Sequence, residues 1–523
     1  MNPITVVKNT ATIITLLIIT ALFSCDIKSP TEGLKVLFNE DPLTIIVIEV
    51  VDTKTNKQIV TKPPDNIQIT ISGPDKNAIT NLTESPKTSF VSTSGYFNFA
   101  VADDFPISSD HPFSITLMVS SPDYISISKS ITLTSTKGEF YSIAVVKRDA
   151  PPEGAFTSTN NEGATSTDGK VKESIVIVSD PEPFTNTGVN VNIPEGTTIK
   201  DENGNVLTGE LKTEITDFNV KSEEALNAFP GGVLPKVSNR LGELDDVIFK
   251  PAAFISLDIT DTNGNKANTF DKPVEIIIHI PGDIYNPETG TLIKKGDILP
   301  IFYYEEENAL WMYHSDQTIS GSDENGNYEV FFTTTHLSYW TVGWEDKTSE
   351  MCDQGINIHV TGGFTTVEIK VKNLSDDAYF SSIGNRISSS EPYYSISKYP
   401  RSIPVAIEAW YGTDLVGVVE VEDLCGEDVY LEVTIPGKAV VFSVEVYDIN
   451  DPEKRMRPNR AIYIDDNGDR KYVGYMMDGK ITVYGLEEGI EYTCWVYHEG
   501  TWYSDTYTVN EKEYAEIKVA VEL

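Results

Sequence analysis

Past its first few dozen residues the chain is written in short runs where apolar and polar positions alternate. Between 43 and 149 the runs are TIIVIEVVD (44–52), NIQITISG (66–73), YFNFAVAD (96–103), FSITLMVSS (113–121), ISISKSITL (125–133) and EFYSIAVVK (139–147). A period of two turns alternate side chains to opposite faces of a strand, and turn residues part the runs every ~8–12 positions, the spacing of a sandwich. The pattern recurs over 174–346, in VNVNIPEGTTI, LKTEITDF, FKPAAFISLDITD, KPVEIIIHIP, ILPIFYYEEENALWMYH and YEVFFTTTHLSYWTVGW. Residues 352–436 (INIHVTG to VYLEVTIPG) and 437–523 (VVFSVEVYDI to AEIKVAVEL) repeat it again. It predicts an all-β chain of tandem immunoglobulin-like or transthyretin-like β-sandwiches at 43–149, 174–346, 352–436 and 437–523.

Two stretches break the pattern. Residues 150–173 are rich in Pro, Gly, Ser and Thr and read as a linker. Residues 219–248 read as a long loop of the functional or mobile kind.

The N-terminus follows a different grammar. Lys8 precedes an apolar run, Ala11–Phe23, that ends at Ser24-Cys25. A short basic region, an apolar core and a small residue are the parts of an export signal. The run falls short of the ~20 residues needed to cross a bilayer. Leu22-Phe23-Ser24-Cys25 resembles the lipobox of bacterial lipoproteins, although Phe23 is bulkier than usual. The resemblance implies a signal peptide over 1–24, a diacylglyceryl thioether on Cys25, and acylation of the new amine. Several acyl chains on one residue anchor stably. Residues 25–42 then form a tether, and the expected location is the outer membrane, lipid-anchored, surface-exposed or periplasmic.

Two further resemblances are of pattern. Residues 43–149 are similar to transthyretin-like and carboxypeptidase-regulatory-like modules. In the central region, Ile193-Pro-Glu-Gly, Pro273-Val-Glu-Ile, Trp311 and Thr335-His-Leu-Ser followed by Trp340 resemble the sandwich regions of cartilage intermediate layer proteins, and those shared by netrin receptors and ankyrins. They imply a fold and extracellular scaffolding, with no catalytic role.

Composition narrows the partners. With 523 residues the chain exceeds a single core. Seventy-nine acids against 40 bases leave a net charge of −39, which argues against nucleic acid, whose affinity rests on cationic side chains. A protein or glycan ligand stays open. There are four cysteines. With Cys25 taken by lipid, Cys352 and Cys425 are the preferred disulfide, which leaves Cys494 over.

Candidate chemistry is sparse. Asp201–Asn205, Asp261–Asn265, Asp323–Asn327 and Asp465–Asp469 share a D-x-N-G-[N/D] pattern, the mark of a hairpin turn of type I′. Calcium would need six or more oxygens, including a later bidentate acid that no copy supplies at the right spacing. No cofactor or metal site is therefore expected.

His336-Leu337-Ser338 is similar to the tripeptide at which adhesion-receptor GAIN domains cleave themselves. The resemblance implies attack by the Ser338 hydroxyl on the Leu337 carbonyl, with His336 as base. The plainer alternative is one strand in which His336, Ser338 and Trp340 share a face and touch structurally. Ser126–Lys129 and Ser395–Lys398 match a bare SxxK but read as strands with a hydroxylated, solvated face. Trp410, Trp495 and Trp502 would stack on sugar rings if exposed and are core if buried.

The expectation is a non-enzymatic, lipid-anchored cell-envelope protein, a binding, adhesion or scaffold module. The alternatives are a glycan-binding surface lipoprotein of a nutrient-uptake system, and an autoproteolytic sandwich cut between Leu337 and Ser338.

Overall fold

The computed structural model describes Thr44 to Val521 with short interruptions, the longest being 180–187. The expected signal peptide, Cys25 and the expected tether lie outside the described residues. Strand is almost the only regular structure among the described residues, which build four successive pairs of facing sheets.

In the first sandwich, Thr44–Asp52, Ile79–Thr80, Tyr96–Val101 and Glu139–Val145 make one sheet. Ile67–Ser72, Ser89–Ser92, Phe113–Ser121 and Tyr124–Leu133 make the other. The alternation works as read: Ile46, Ile48 and Val50 enter the core with Phe99, Phe113 and Leu117. The opposite face of Thr44–Asp52 carries Val47 and Glu49, both fully buried all the same.

The second sandwich is larger, six strands against eight. Here the expected linker is corrected. Ala155–Ala164 is an edge strand of the eight-stranded sheet, paired antiparallel with Glu210–Phe218. Its polar side chains bridge the two sheets: Ser158 Oγ donates to Val178 O and Asn160 Nδ2 to Val176 O, both at 3.1 Å. A segment chosen to satisfy a neighbouring edge looks like a linker by composition alone.

The expected loop at 219–248 is corrected too. It holds a one-turn helix, Glu223–Leu226, and two short strands, Lys236–Ser238 and Leu244–Asp246, that join the eight-stranded sheet. Phe229, buried, stacks on Trp311 at 4.8 Å, and Trp311 Nε1 donates to Pro230 O at 2.8 Å. Nor is 328–344 one strand. Tyr328–His336 belongs to the six-stranded sheet and Tyr339–Asp346 to the eight-stranded one, so the chain changes sheets at Leu337-Ser338.

The third sandwich faces a three-stranded sheet (Ile356–Gly363, Tyr393–Ile396, Val429–Thr434) against a five-stranded one built around Thr366–Asn373 and Val405–Tyr411. Cys352 and Cys425 are joined by a disulfide across 73 residues, with Cα atoms 5.3 Å apart. The fourth pairs two four-stranded sheets, and its Lys438–Asp448 strand runs parallel to Tyr514–Val521.

The first two sandwiches share a core. Ile125 and Val146 of the first pack among Phe218, Phe254, Tyr304 and Trp311 of the second. Tyr304 and Tyr339 donate their hydroxyls to Ser128 O and Ser126 O, each at 3.0 Å. The serine-rich face of Tyr124–Leu133, expected in solvent, is therefore the docking face, and Ser128 is 1 % exposed. Ions close the same seam. Arg148 contacts Glu214 at 2.9 Å and Asp258 at 2.8 Å, and Lys266 meets Asp258 at 2.8 Å. Burial opposes ionisation of Asp258, but Lys266 and Arg148 outweigh it and hold the carboxyl at about 2.

Candidate functional site

Thr334, His336 and Ser338 line the point where the chain leaves one sheet for the other. The Thr334 hydroxyl meets one nitrogen of the imidazole, with Oγ1 3.3 Å from His336 Nδ1, and accepts the His336 N–H at 3.2 Å. The ring packs edge-on to Tyr303 at 4.4 Å and against Trp340 at 5.1 Å. Burial first, and His314 second, hold its pKa below the ordinary imidazole value, so it is neutral at pH 7. Ser338 points elsewhere, its hydroxyl donating to the Tyr304 carbonyl. Among the described residues no hydrogen bond joins His336 to Ser338. A nucleophile and its base need that contact. The structure places the two side by side in the chain without pairing them.

The SxxK pair resolves differently. Lys129 points between the sheets and donates to Ser142 O at 3.2 Å, over the Tyr141 ring at 5.7 Å. Burial brings its pKa down to about 8. It closes an open side of the first sandwich. Lys398, of the other tetrad, lies outside the described residues.

Two of the three tryptophans considered for sugars are occupied. Trp410 donates Nε1 to Glu408 at 2.8 Å, and the Lys370 ammonium sits over its ring at 5.2 Å and over Tyr379 at 5.4 Å. A cation on the ring face takes the surface that a sugar would use. Trp495 packs on the first sandwich beside Val47, Tyr96 and Phe140. The Trp502 side chain lies outside the described residues.

An aromatic position that tryptophan counting passes over is open. Tyr430 is 68 % exposed and stacks on His359 at 5.0 Å and 14°. Asp428 fixes the imidazole through Nε2 at 3.0 Å and accepts both the backbone N–H and the side-chain amide of Asn357 at 3.1 Å. The hydrogen bond from His359 leads the effects that lower the Asp428 pKa. The alternation Val429, Leu431, Val433 in VYLEVT already places Tyr430 outward.

Of the four Asp-x-Asn-Gly segments, 201–205 and 261–265 are turns, though not type I′, and the other two include residues outside those described. At 201–205 and 261–265 only the glycine has positive φ, +80° in both. Each begins with a Gly N–H to Asp O bond at 3.0 Å, and the Asp carboxylate caps the loop. Asp201 Oδ1 accepts from Asn203 N at 2.9 Å and Asn205 N at 2.7 Å, and Oδ2 accepts from Asn205 Nδ2 at 2.9 Å. Asp at the first position of a type I turn makes these bonds, with glycine supplying the left-handed residue that follows. Its oxygens are spent on the loop rather than offered to a cation. Cys352, Cys425 and Asp423 bring three ligand-type atoms together, but the two sulfurs bond each other. Cys494 is buried, and burial pushes its thiol up to about 12.

No protein-family model matches the chain, and no curated protein matches it. Solved structures overlap it only loosely. The TIE protein of Bacillus anthracis is 11% identical over 70% of this chain and 74% of its own, with a TM-score of 0.13. The minor pilin GBS52 of Streptococcus agalactiae is 11% identical over 32% of this chain and 94% of its own, with a TM-score of 0.14. BcpA, the major pilin subunit of Bacillus cereus, is 9% identical over 92% of this chain and 99% of its own, with a TM-score of 0.12. Superposition at that level carries no argument about arrangement or role.

Proposed function

We propose that the protein is a non-catalytic, lipid-anchored component of the cell envelope, a binding, adhesion or scaffold module held at the outer membrane through acyl chains on Cys25. One observation carries the non-catalytic part. The groups with chemical potential are spent on construction: Ser338 on a strand carbonyl, Lys129 on a sandwich edge, Arg148 and Asp258 on a seam between modules. A shared core between successive modules suits a protein that must hold its shape at a surface. The anchor rests on the lipobox resemblance and the apolar run before it. Protease treatment of intact cells tests the location. Digestion without lysis supports display on the outer face, and protection until the outer membrane is opened assigns the periplasmic face. Recovery in the soluble fraction would overturn the anchor.

A glycan-binding role is favoured by one feature, the open Tyr430 ring held by His359 and Asp428. An aromatic face beside fixed polar groups suits a pyranose ring. Titration of the chain and of Tyr430→Ala with a polysaccharide panel tests it. Binding lost in the variant supports this reading, and no binding by either removes it.

A further inference from the structure

Glu49 occupies an unusual position. It lies on the face of Thr44–Asp52 turned away from the core of its own sandwich, yet it is 1 % exposed. Part of its partnership is internal, since Tyr96 donates its hydroxyl to Oε1 at 2.7 Å and Ser142 to Oε2 at 3.2 Å. The charge is met from elsewhere: Arg386 of the third sandwich reaches Oε2 at 2.7 Å. The same guanidinium donates to Asn56 O at 3.1 Å, and Asn56 Nδ2 donates back across the junction to Glu368 Oε2 at 3.1 Å.

We propose that this junction is a clasp closed by the Glu49–Arg386 pair, and that opening it uncovers an apolar strip on the first sandwich. The strip is Val47, Tyr96 and Phe140, and Trp495 of the fourth sandwich packs on it. Closure removes the Glu49 carboxylate from water. Without the arginine, it would leave a buried charge facing only neutral donors, which strongly disfavours the closed form. In the open form, water satisfies both ions.

The first and second sandwiches share an apolar core. The third and fourth are tied by Thr365, whose hydroxyl donates to Tyr484 O at 2.9 Å while Tyr484 also packs into the core of the third. Between the second and third, Ile248 of the second packs into the core of the third. The third and fourth sandwiches therefore move together, with Ile248 as pivot, and the clasp sets whether they lie on the first. Relative movement of modules is expected where the interface between them is small, and at the clasp a single indole covers the apolar strip. The closed form also covers an exposed edge: Arg386–Ser388 lies against Glu139–Val145, the last strand of its sheet. Covering an edge strand protects it from pairing with other chains.

Two variants of the full chain test the clasp, Arg386→Ala and Asn56→Asp, the second placing a carboxylate against Glu368. Small-angle scattering measures the maximum dimension, and binding of an apolar-surface dye measures the uncovered strip. Each variant is expected to keep the circular dichroism of the parent, to lengthen, and to bind about twice as much dye. If one variant fails to fold, the other decides. A folded variant with the parent's dimension and dye binding overturns the proposal.

Discussion

The indole of Trp340 meets two imidazoles, His336 tilted at 5.1 Å and His314 edge-on at 5.2 Å, each from a different sheet of the second sandwich. His336 ends a strand of the six-stranded sheet, and His314 lies in Leu310–Thr318 of the eight-stranded one. These ring contacts join the two sheets at the point where the chain crosses between them. Both imidazoles are held below their ordinary pKa, chiefly by burial.

That depression sets a direction with pH. A group whose folded pKa is lowered binds fewer protons folded than unfolded, so its contribution to stability is complete above the unfolded value and lost as pH falls through the folded one. The chain is expected to lose more thermal stability between pH 7.5 and 5 than His336→Phe, which keeps an aromatic ring without the proton site. Equal losses in the two proteins would contradict this.

Asp217 has the opposite sign. It is 1 % exposed with Ser179 donating to it, and burial pushes its pKa up to about 7 against that hydrogen bond. A raised carboxyl binds protons more tightly in the folded state. The stability it lends is present below the unfolded value, near 4, and lost as pH rises through about 7. Asp217→Asn is expected to raise stability at pH 8, on the order of a few kcal/mol, and to change it less at pH 5. Urea unfolding at both values measures this, and a loss of equal size at both would contradict it.

Phe229 tests whether 219–248 is structural. Phe229→Ala removes a ring stacked on Trp311 and packed edge-on to Phe254 at 5.1 Å. A buried Phe→Ala change costs about 3–5 kcal/mol, seen as a shift in the urea midpoint. A shift worth under about 1 kcal/mol would mean that the segment is a dispensable loop.

How much of this was legible in the sequence depends on the range of the interaction. Local alternation places Ile46, Ile48 and Val50 inward and Tyr430 outward without any structure. It cannot say which sheet a strand joins, so His336 to Trp340 reads as one strand when it is a crossing. Polar strands also defeat it, as Ser158 and Asn160 show, because the groups they serve are in a neighbouring sheet. The serines of SISISKS look solvated until a second module covers them. Least visible is Glu49–Arg386, whose partners are 337 residues apart. Within the site region, the residue types at 334–340 are plain in the sequence, whereas the commitment of Ser338 to Tyr304 is set by tertiary packing.

Self-cleavage receives a direct check. With Ser338 donating to Tyr304 and His336 held by Thr334, the purified chain is expected to run as one band on a denaturing gel, as is Ser338→Ala. Two fragments from the parent, the shorter beginning at Ser338 and absent in the variant, would contradict the geometry described.

Mass spectrometry of the N-terminal peptide after detergent extraction tests the proposed lipid anchor at Cys25 most directly. The expected peptide begins at Cys25, carries a diacylglyceryl thioether and an acylated amine, and is absent from Cys25→Ala. A peptide beginning at Met1, or at any residue beyond Cys25 without lipid, would contradict it.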